Sequence, residues 1–464
     1  MNLTESNLYE ELRTFLQEHQ VSKNETQIEQ HSHDESYHKA SPPDLVVFPE
    51  STDEVSAIVK VANAYQTPIT PYGLGTSLEG HVIPYDHGIT IDFSQMNKVI
   101  EVREKDFLVK VQPGVTRSQL NKELKKYGLF FTVDPGADAT LGGMAATNAS
   151  GTTSVKYGVM RDQVRDLEVV LADGEIIHTG SLAQKSSSGY NLNSLFVGSE
   201  GTLGCITELT FKVYGIPEHI VAARASFPSV NNAVEAVVSI LQAGVPIARV
   251  ELVDEPSMKQ VNMFSETRYQ EQPTLFLEFH GNEAGLNYDV EFTKEIVADH
   301  QCEEILFEKD NAARNRLWEA RHNLAYAYVH GNPGKKLMVT DVCVPISELA
   351  GAIEHAREKV NELELNGGIT GHVGDGNYHI LLMMDMDDPD EVNKAEQLNE
   401  QIVDYALQRG GTCTGEHGVG LGKMKYQQRE HGEALRVMEK IKLALDEKEI
   451  LNPYKLVHQK KTRL

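Results

Sequence analysis

Apolar and polar positions alternate along this chain in two rhythms, and the rhythm changes part-way. "DLVVFP", from Asp44, has the character of a short buried strand. "STDEVSAIVKVANAY" then places Val55, Ile58, Val59 and Ala62 on one helical face, with Ser51 and Glu54 as a capping box at its start. "TPITPYG" returns to a strand that ends in a turn, and "EVVLADGEIIHTG" predicts a hairpin with Asp173-Gly174 at its tip. To about residue 217 the texture is strands, glycine turns and few helices. Beyond it, strands alternate with longer helices. "TLFLEFHG", "CEEILFEK" and "YHILLMMDM" read as strands; "LNYDVEFTKEIVADH" and "PISELAGAIEHAREKVNELEL" read as helices. An antiparallel sheet carrying helices is the natural packing of that second pattern. The chain so divides into a helical N-terminal segment (1–40), a β-rich region (41–217), a mixed region (218–410) and a C-terminal segment (411–464) that ends on a helix and "LNP".

Composition narrows the function classes. At 464 residues, two or three domains are expected. A formal net charge of −25 argues against nucleic acid and anionic lipid, both of which reward a basic face. No apolar stretch approaches the roughly 18 residues of a membrane span, so no transmembrane segment is expected. The mixed-charge N-terminus lacks the basic start and apolar run of a secretory signal. Cys205, Cys302, Cys343 and Cys413 are scattered, without CxxC, and read as reduced thiols of a cytoplasmic protein. His31, His33 and His38, in "HSHDESYHKASPPD", read as solvated histidines.

Three glycine-rich loops carry the first chemical signal. "PYGLGTSLEG" follows a strand and supplies Gly73 and Gly75, but Gly80 lies too far on for G-x-G-x-x-G. Pro84 and Gly88 break any crossover helix, so a Rossmann fingerprint fails, and Asp92 is a decoy for its ribose acid. "PGADATLGGMAATNASGTTSVKYG" and "GSEGTLG" are the other two loops. Ordinary turns would explain any one of them. Three together suit backbone N–H groups that approach a pyrophosphate, and small side chains that leave a slot for a flat ring.

"PYGLGTSLEG", "DPGADATLGGMAATNASG", "KYGVMRDQV" and "VGSEGTLGCITE" resemble the FAD-binding domain of the vanillyl-alcohol-oxidase type flavoproteins. Over about residues 40–457 the chain resembles, more closely, the FAD-linked D-lactate dehydrogenases and the flavin subunit of glycolate oxidase. The resemblance implies an α+β protein: a vanillyl-alcohol-oxidase type FAD domain over 41–217, an α+β (ferredoxin-like) cap over 218–410, and a C-terminal segment that returns to the flavin. It places Tyr72, Gly73, Leu74, Gly75, Thr76, Ser77 and Gly80 at the pyrophosphate loop. It places Pro135, Gly136, Ala137, Thr140, Gly142, Gly143, Ala145, Asn148, Gly151, Tyr157, Gly158, Glu200, Gly204, Ile206 and Asn452 around the rest of FAD. Thr76 stands where some relatives carry a histidine joined covalently to FAD, which implies noncovalent FAD, with His81 as a weaker attachment point. Tyr454 departs from the pattern, where a glycine is common.

The second signal is "GHVGDGNYH" with "GEHGVG". If Gly374 to Asn377 turn a hairpin, His372 faces His379 and Val373 faces Tyr378, which puts both imidazoles on one face. Glu416 would complete a His₂Glu metal set with open positions. An isolated histidine pair is more often a pair of satisfied polar groups beside a turn; the GEHG loop, with a further ligand and a further histidine, shifts the balance. The resemblance agrees: it implies His372, His379 and Glu416 on a divalent ion (zinc, manganese or iron) and His417 as proton acceptor. It adds Arg321 as the cation for a substrate carboxylate and Asn377 as a hydrogen-bonding group. The implied reaction is oxidation of a small-molecule D-2-hydroxy acid, D-lactate or glycolate, with a metal-activated hydroxyl, the Cα hydrogen passing as hydride to flavin N5, and electrons leaving to a quinone, cytochrome, flavoprotein or oxygen rather than NAD. A non-redox synthase of the alkyl-glycerone-phosphate type, or a flavin subunit of a larger electron-transfer complex, are the rival readings. A homodimer or partner subunits are both compatible with the sequence, as is a peripheral place at the membrane.

Overall fold

A computed structural model describes residues 3–457. The chain forms two compact units: Met1–Ser150, Val159–Ile216 and Glu416–Leu464 make the first, and Gly151–Gly158 with Pro217–Gly415 make the second. The short excursion at Gly151–Gly158 leaves no trace in composition.

The first unit holds two larger sheets beside a two-stranded ribbon of Leu129–Phe130 and Tyr214–Gly215. One has four strands, in the order Val21–Ser22, Leu45–Val47, Ile89–Asp92 and Ile69–Tyr72. The other has five: Val99–Arg103, Leu108–Val111, Cys205–Lys212, Val164–Val170 and Ile176–His178. The expected hairpin is present: Val164–Val170 pairs antiparallel with Ile176–His178, and Gly174 takes φ +83° between them. Helix Thr52–Tyr65 buries Val55, Ile58, Val59 and Ala62, as its period predicts. Its cap is half of the expected box. Ser51 accepts from the Glu54 N–H, but the Glu54 carboxylate accepts from the N–H of Glu50 and from Gln20 Nε2, at 2.7 and 2.8 Å. Leu8, Leu12 and Leu16 join the same core as that helix, so the N-terminal helix is an integral layer. His31 is buried rather than solvated, with Nε2 2.9 Å from Asp92 Oδ2; Asp92 thus serves a histidine.

The second unit is built on one antiparallel sheet. Its strands run Glu304–Glu308, His219–Ser226, Thr274–Gly281, Ile247–Val253, Asn366–His372, Asn377–Met384 and Lys336–Val339, and Val342–Cys343 also pairs with Asn377–Met384. Every residue of Asn377–Met384 is buried, and helices Glu255–Ser265, Asn311–His322 and Leu324–Gly331 contribute Met258, Leu317, Trp318 and Tyr328 to a core with Phe276, Leu381 and Met383. Pairing of Leu252 with Gly371 and Val253 with Thr370, continued by one step, sets Glu251 opposite His372. An acid and an imidazole therefore meet across two neighbouring strands of this sheet.

Candidate active site

The hairpin that carries the two histidines turns one residue earlier than its sequence suggests. His372 pairs with Asn377 and Thr370 with His379, so the loop is Val373–Gly376 and the expected register is out by two residues. The cause is Gly376, at φ +83°, where a Cβ would collide with the Val344 carbonyl oxygen. The turn also closes through Asp375 N–H to His372 O at 3.0 Å. An even shift preserves the face. His372 and His379 become diagonal rather than opposed neighbours, with ring centroids 5.5 Å apart and a nitrogen of each within 4.8 Å of the other.

Each imidazole is oriented through Nδ1. His372 Nδ1 lies 2.6 Å from Glu251 Oε1, and His379 Nδ1 lies 3.0 Å from the Thr340 carbonyl. Any metal ligation by the pair therefore falls to Nε2. Glu251 is fully buried, and its other oxygen accepts from Arg321 Nη2 at 2.6 Å. Burial alone would raise its pKa; the charges of His372 and Arg321 outweigh that and hold it below the usual carboxylate range. Arg321 is thus no surface arginine, and its guanidinium is aimed by Glu251.

Asp341 is a second fully buried carboxylate. Its Oδ2 accepts from Thr414 Oγ1 and from the Gly415 N–H, at 2.6 and 2.8 Å, and its Oδ1 from Asn377 Nδ2 at 2.7 Å. It anchors the strand-side end of the loop whose next residues are Glu416 and His417. Asn377 commits its other amide hydrogen to Val342 O at 2.7 Å, which leaves Oδ1 as its open polar atom. Neither Glu251 nor Asp341 was singled out from the sequence. The available signal was an acid inside an apolar strand pattern, "IARVELV" and "VTDVCV".

In the first unit the three glycine loops converge. A Cβ on Gly73 would collide with Thr140 Oγ1, and one on Gly142 with Pro113. The Gly198 N–H donates to Ala145 O at 2.9 Å, and the Glu200 N–H to Ala146 O at 2.8 Å. Gly136 has open space where a Cβ would sit, and Leu74 is exposed, so the rims of two loops are uncovered. Gly75 takes φ +69°, Gly80 φ +76° and Asn148 φ +53°, left-handed conformations that shape the loops. Tyr72 lines the first loop with its hydroxyl pKa pushed up to about 12 by burial and by Asp92 and Asp34, while Ser77 donates to Asp34 at 3.0 Å. Gly204 precedes the strand Cys205–Lys212 and Ile206 lies within it, and a Cβ on Gly204 would collide with Val169. Asn452 Nδ2 ties the chain end to Glu200 O and His81 O, at 2.7 and 3.1 Å. The Glu200 carboxylate accepts from the N–H groups of Val419 and Gly420, at 2.7 and 2.9 Å, and pairs with His81 Nε2 at 3.4 Å. Tyr454 adopts φ +65°, so the backbone keeps the left-handed form at the position where glycine is common. Gly151, Tyr157 and Gly158 belong instead to the second unit, where Tyr157 Oη lies 2.9 Å from His280 Nδ1.

Residues 216–456 match the C-terminal domain of FAD linked oxidases, and residues 43–180 match an FAD binding domain. The chain belongs to the FAD linked oxidases. It is 48% identical over 438 residues to a probable mitochondrial D-lactate dehydrogenase of Danio rerio, spanning 94% of this chain and 88% of that one. It is 42% identical to the mitochondrial D-lactate dehydrogenase [cytochrome] of Arabidopsis thaliana, over 97% of this chain and 80% of that one. The glycolate oxidase subunit GlcD of Bacillus subtilis is 33% identical, over 92% of this chain and 91% of that one. A solved p-cresol methylhydroxylase shares the fold, with a TM-score of 0.82 at 16% identity over 98% of this chain and 97% of that one. This FAD-linked oxidase is therefore an oxidoreductase of the vanillyl-alcohol-oxidase fold, with FAD as cofactor, and the non-redox reading is set aside. The glycine cradle fits that cofactor, since an added Cβ at Gly73 would drive the first two loops apart and Gly136 faces open space. The cytoplasmic expectation is corrected: the D-lactate dehydrogenases at 48% and 42% identity are both named mitochondrial, and scattered reduced cysteines do not distinguish the two compartments. Among the described residues no helix is long and apolar enough to cross a membrane.

Proposed function

We propose that this FAD-linked oxidase oxidises a D-2-hydroxy acid, D-lactate or glycolate, to the 2-oxo acid and delivers the electrons to an acceptor other than NAD. The relatives named D-lactate dehydrogenase and glycolate oxidase subunit support the substrate class. The observation that supports the chemistry is the pair His372 and His379, each held through Nδ1 on one sheet face, which favours Nε2 as the ligating atom of both.

Glu416 is the third ligand in this reading. It follows Gly415, whose N–H is held on Asp341, and Asp341 Oδ1 lies 3.7 Å from His379 Nδ1. Two neutral imidazoles and a carboxylate suit zinc, manganese or iron, and such an ion supplies a Lewis acid that makes the substrate hydroxyl easier to deprotonate. FAD, held noncovalently by the three loops, supplies the two-electron acceptor for the Cα hydrogen. His417 takes the hydroxyl proton. Arg321, aimed by Glu251, binds the substrate carboxylate, and Asn377 offers Oδ1 to the hydroxyl.

Anaerobic titration of the yellow protein with D- and L-2-hydroxy acids tests the proposal. Bleaching of the flavin band by D-lactate or glycolate, and not by L-lactate, is expected. A flavin that stays oxidised with every D-2-hydroxy acid refutes it.

A further inference from the structure

Glu251 bridges two groups with opposite demands. Arg321 Nη2 can only donate, so it requires an acceptor at Oε2, 2.6 Å away. His372 Nδ1 faces Oε1 at 2.6 Å, and an anionic carboxylate can only accept, so Nδ1 must carry the proton. In its neutral form the ring then has its lone pair on Nε2. Glu251 has no solvent to fall back on, being wholly buried, and His372 is its direct neighbour across the sheet.

We infer that Glu251 is a positioning residue that sets the His372 tautomer for metal binding and at the same time aims Arg321 at the substrate carboxylate, coupling the two halves of substrate recognition through one buried carboxylate. The inference rests on the metal reading proposed above, and it deepens that reading by adding a residue that touches neither substrate nor ion. It makes a prediction that simple packing does not. In Glu251→Gln, Arg321 still requires the acceptor, so the amide oxygen turns to it and the NH₂ turns to His372. His372 Nδ1 must then accept, its proton moves to Nε2, and ligation is blocked.

The test is Zn²⁺ affinity of the FAD-replete protein, measured by competition with a chromophoric chelator, with flavin content and thermal unfolding recorded for each variant. Wild type and Arg321→Met should bind one ion with affinities within about two-fold, since Glu251 still holds His372 in both. E251Q should bind about 10–100-fold more weakly, the range for loss of a group that orients a metal ligand. The double variant E251Q/R321M should recover most of that loss, because the amide oxygen is released to His372. It also serves if E251Q alone fails to fold. Equal affinity in wild type and E251Q, or no recovery in the double variant, overturns the inference and leaves the metal reading standing. A wild type that binds no ion, with His372→Ala indistinguishable from it, overturns both.

Discussion

Asp341 is where a small change should have the most legible consequence. It is fully buried and accepts hydrogen bonds from Asn377, Thr414 and Gly415. Asp341→Asn keeps one oxygen for Asn377. The new NH₂ can donate to a rotated Thr414 hydroxyl, but it opposes the Gly415 N–H, which cannot rotate. One buried donor is left unsatisfied, at a cost of about 1–3 kcal/mol. For a unit of this size, that lowers Tm by roughly 2–12 °C. Asp341→Ala strands these three donors and should cost more, about 3–9 kcal/mol at roughly 1–3 kcal/mol for each. Function should suffer beyond stability, because Gly415 leads directly into Glu416 and His417. A displacement of about 1 Å at a base costs on the order of 100-fold in rate. The expected result for D341A is a kcat reduced about 100-fold, assayed with D-lactate and an artificial dye, at full flavin content, because Asp341 and its donors Asn377, Thr414 and Gly415 belong to none of the three glycine loops. Turnover within two-fold of wild type together with an unchanged Tm would refute the idea that Asp341 anchors this loop.

Other consequences follow from single features. Gly376→Ala forces a Cβ toward the Val344 carbonyl and a left-handed φ, about 1–2 kcal/mol from the backbone alone, so thermal unfolding should fall and bound metal with it. His379→Ala should release the proposed divalent ion and abolish flavin reduction by D-lactate while the flavin stays bound; retention of stoichiometric metal, read by elemental analysis, would count against the ligand set. Flavin retention should also depend on pH through His81 and Glu200. Burial would lower the His81 pKa, but the charge and hydrogen bond of Glu200 raise it, so its contribution is complete below the ordinary 6.5 and is lost as pH climbs through the raised value. Burial would raise the Glu200 pKa, but the charge and hydrogen bond of His81 lower it, so its contribution is complete above 4.5 and is lost as pH falls through the depressed value. FAD release followed by fluorescence should be slowest between those limits, and His81→Gln should flatten the alkaline side.

The features legible in the sequence were those encoded locally. Strand and helix periods follow from burial of one face, so the Val55, Ile58, Val59 and Ala62 stripe could be read directly. The cradle loops could be read because close approach and left-handed φ exclude most side chains, and glycine marks both. His372, His379 and Arg321 stood out by residue type within such surroundings and by resemblance. What tertiary structure decided was pairing at a distance. Glu251 lies 121 residues from His372 and 70 from Arg321, and Asp341 lies 73 residues from Thr414. Nothing near Glu251 in "RVELV" encodes those partners. The hairpin register was decided the same way, by the Val344 carbonyl that crowds Gly376 from just beyond the strand Val342–Cys343. Local sequence limits what a segment can become; which buried charge meets which partner is set by sheet order, and sheet order is a property of the whole unit.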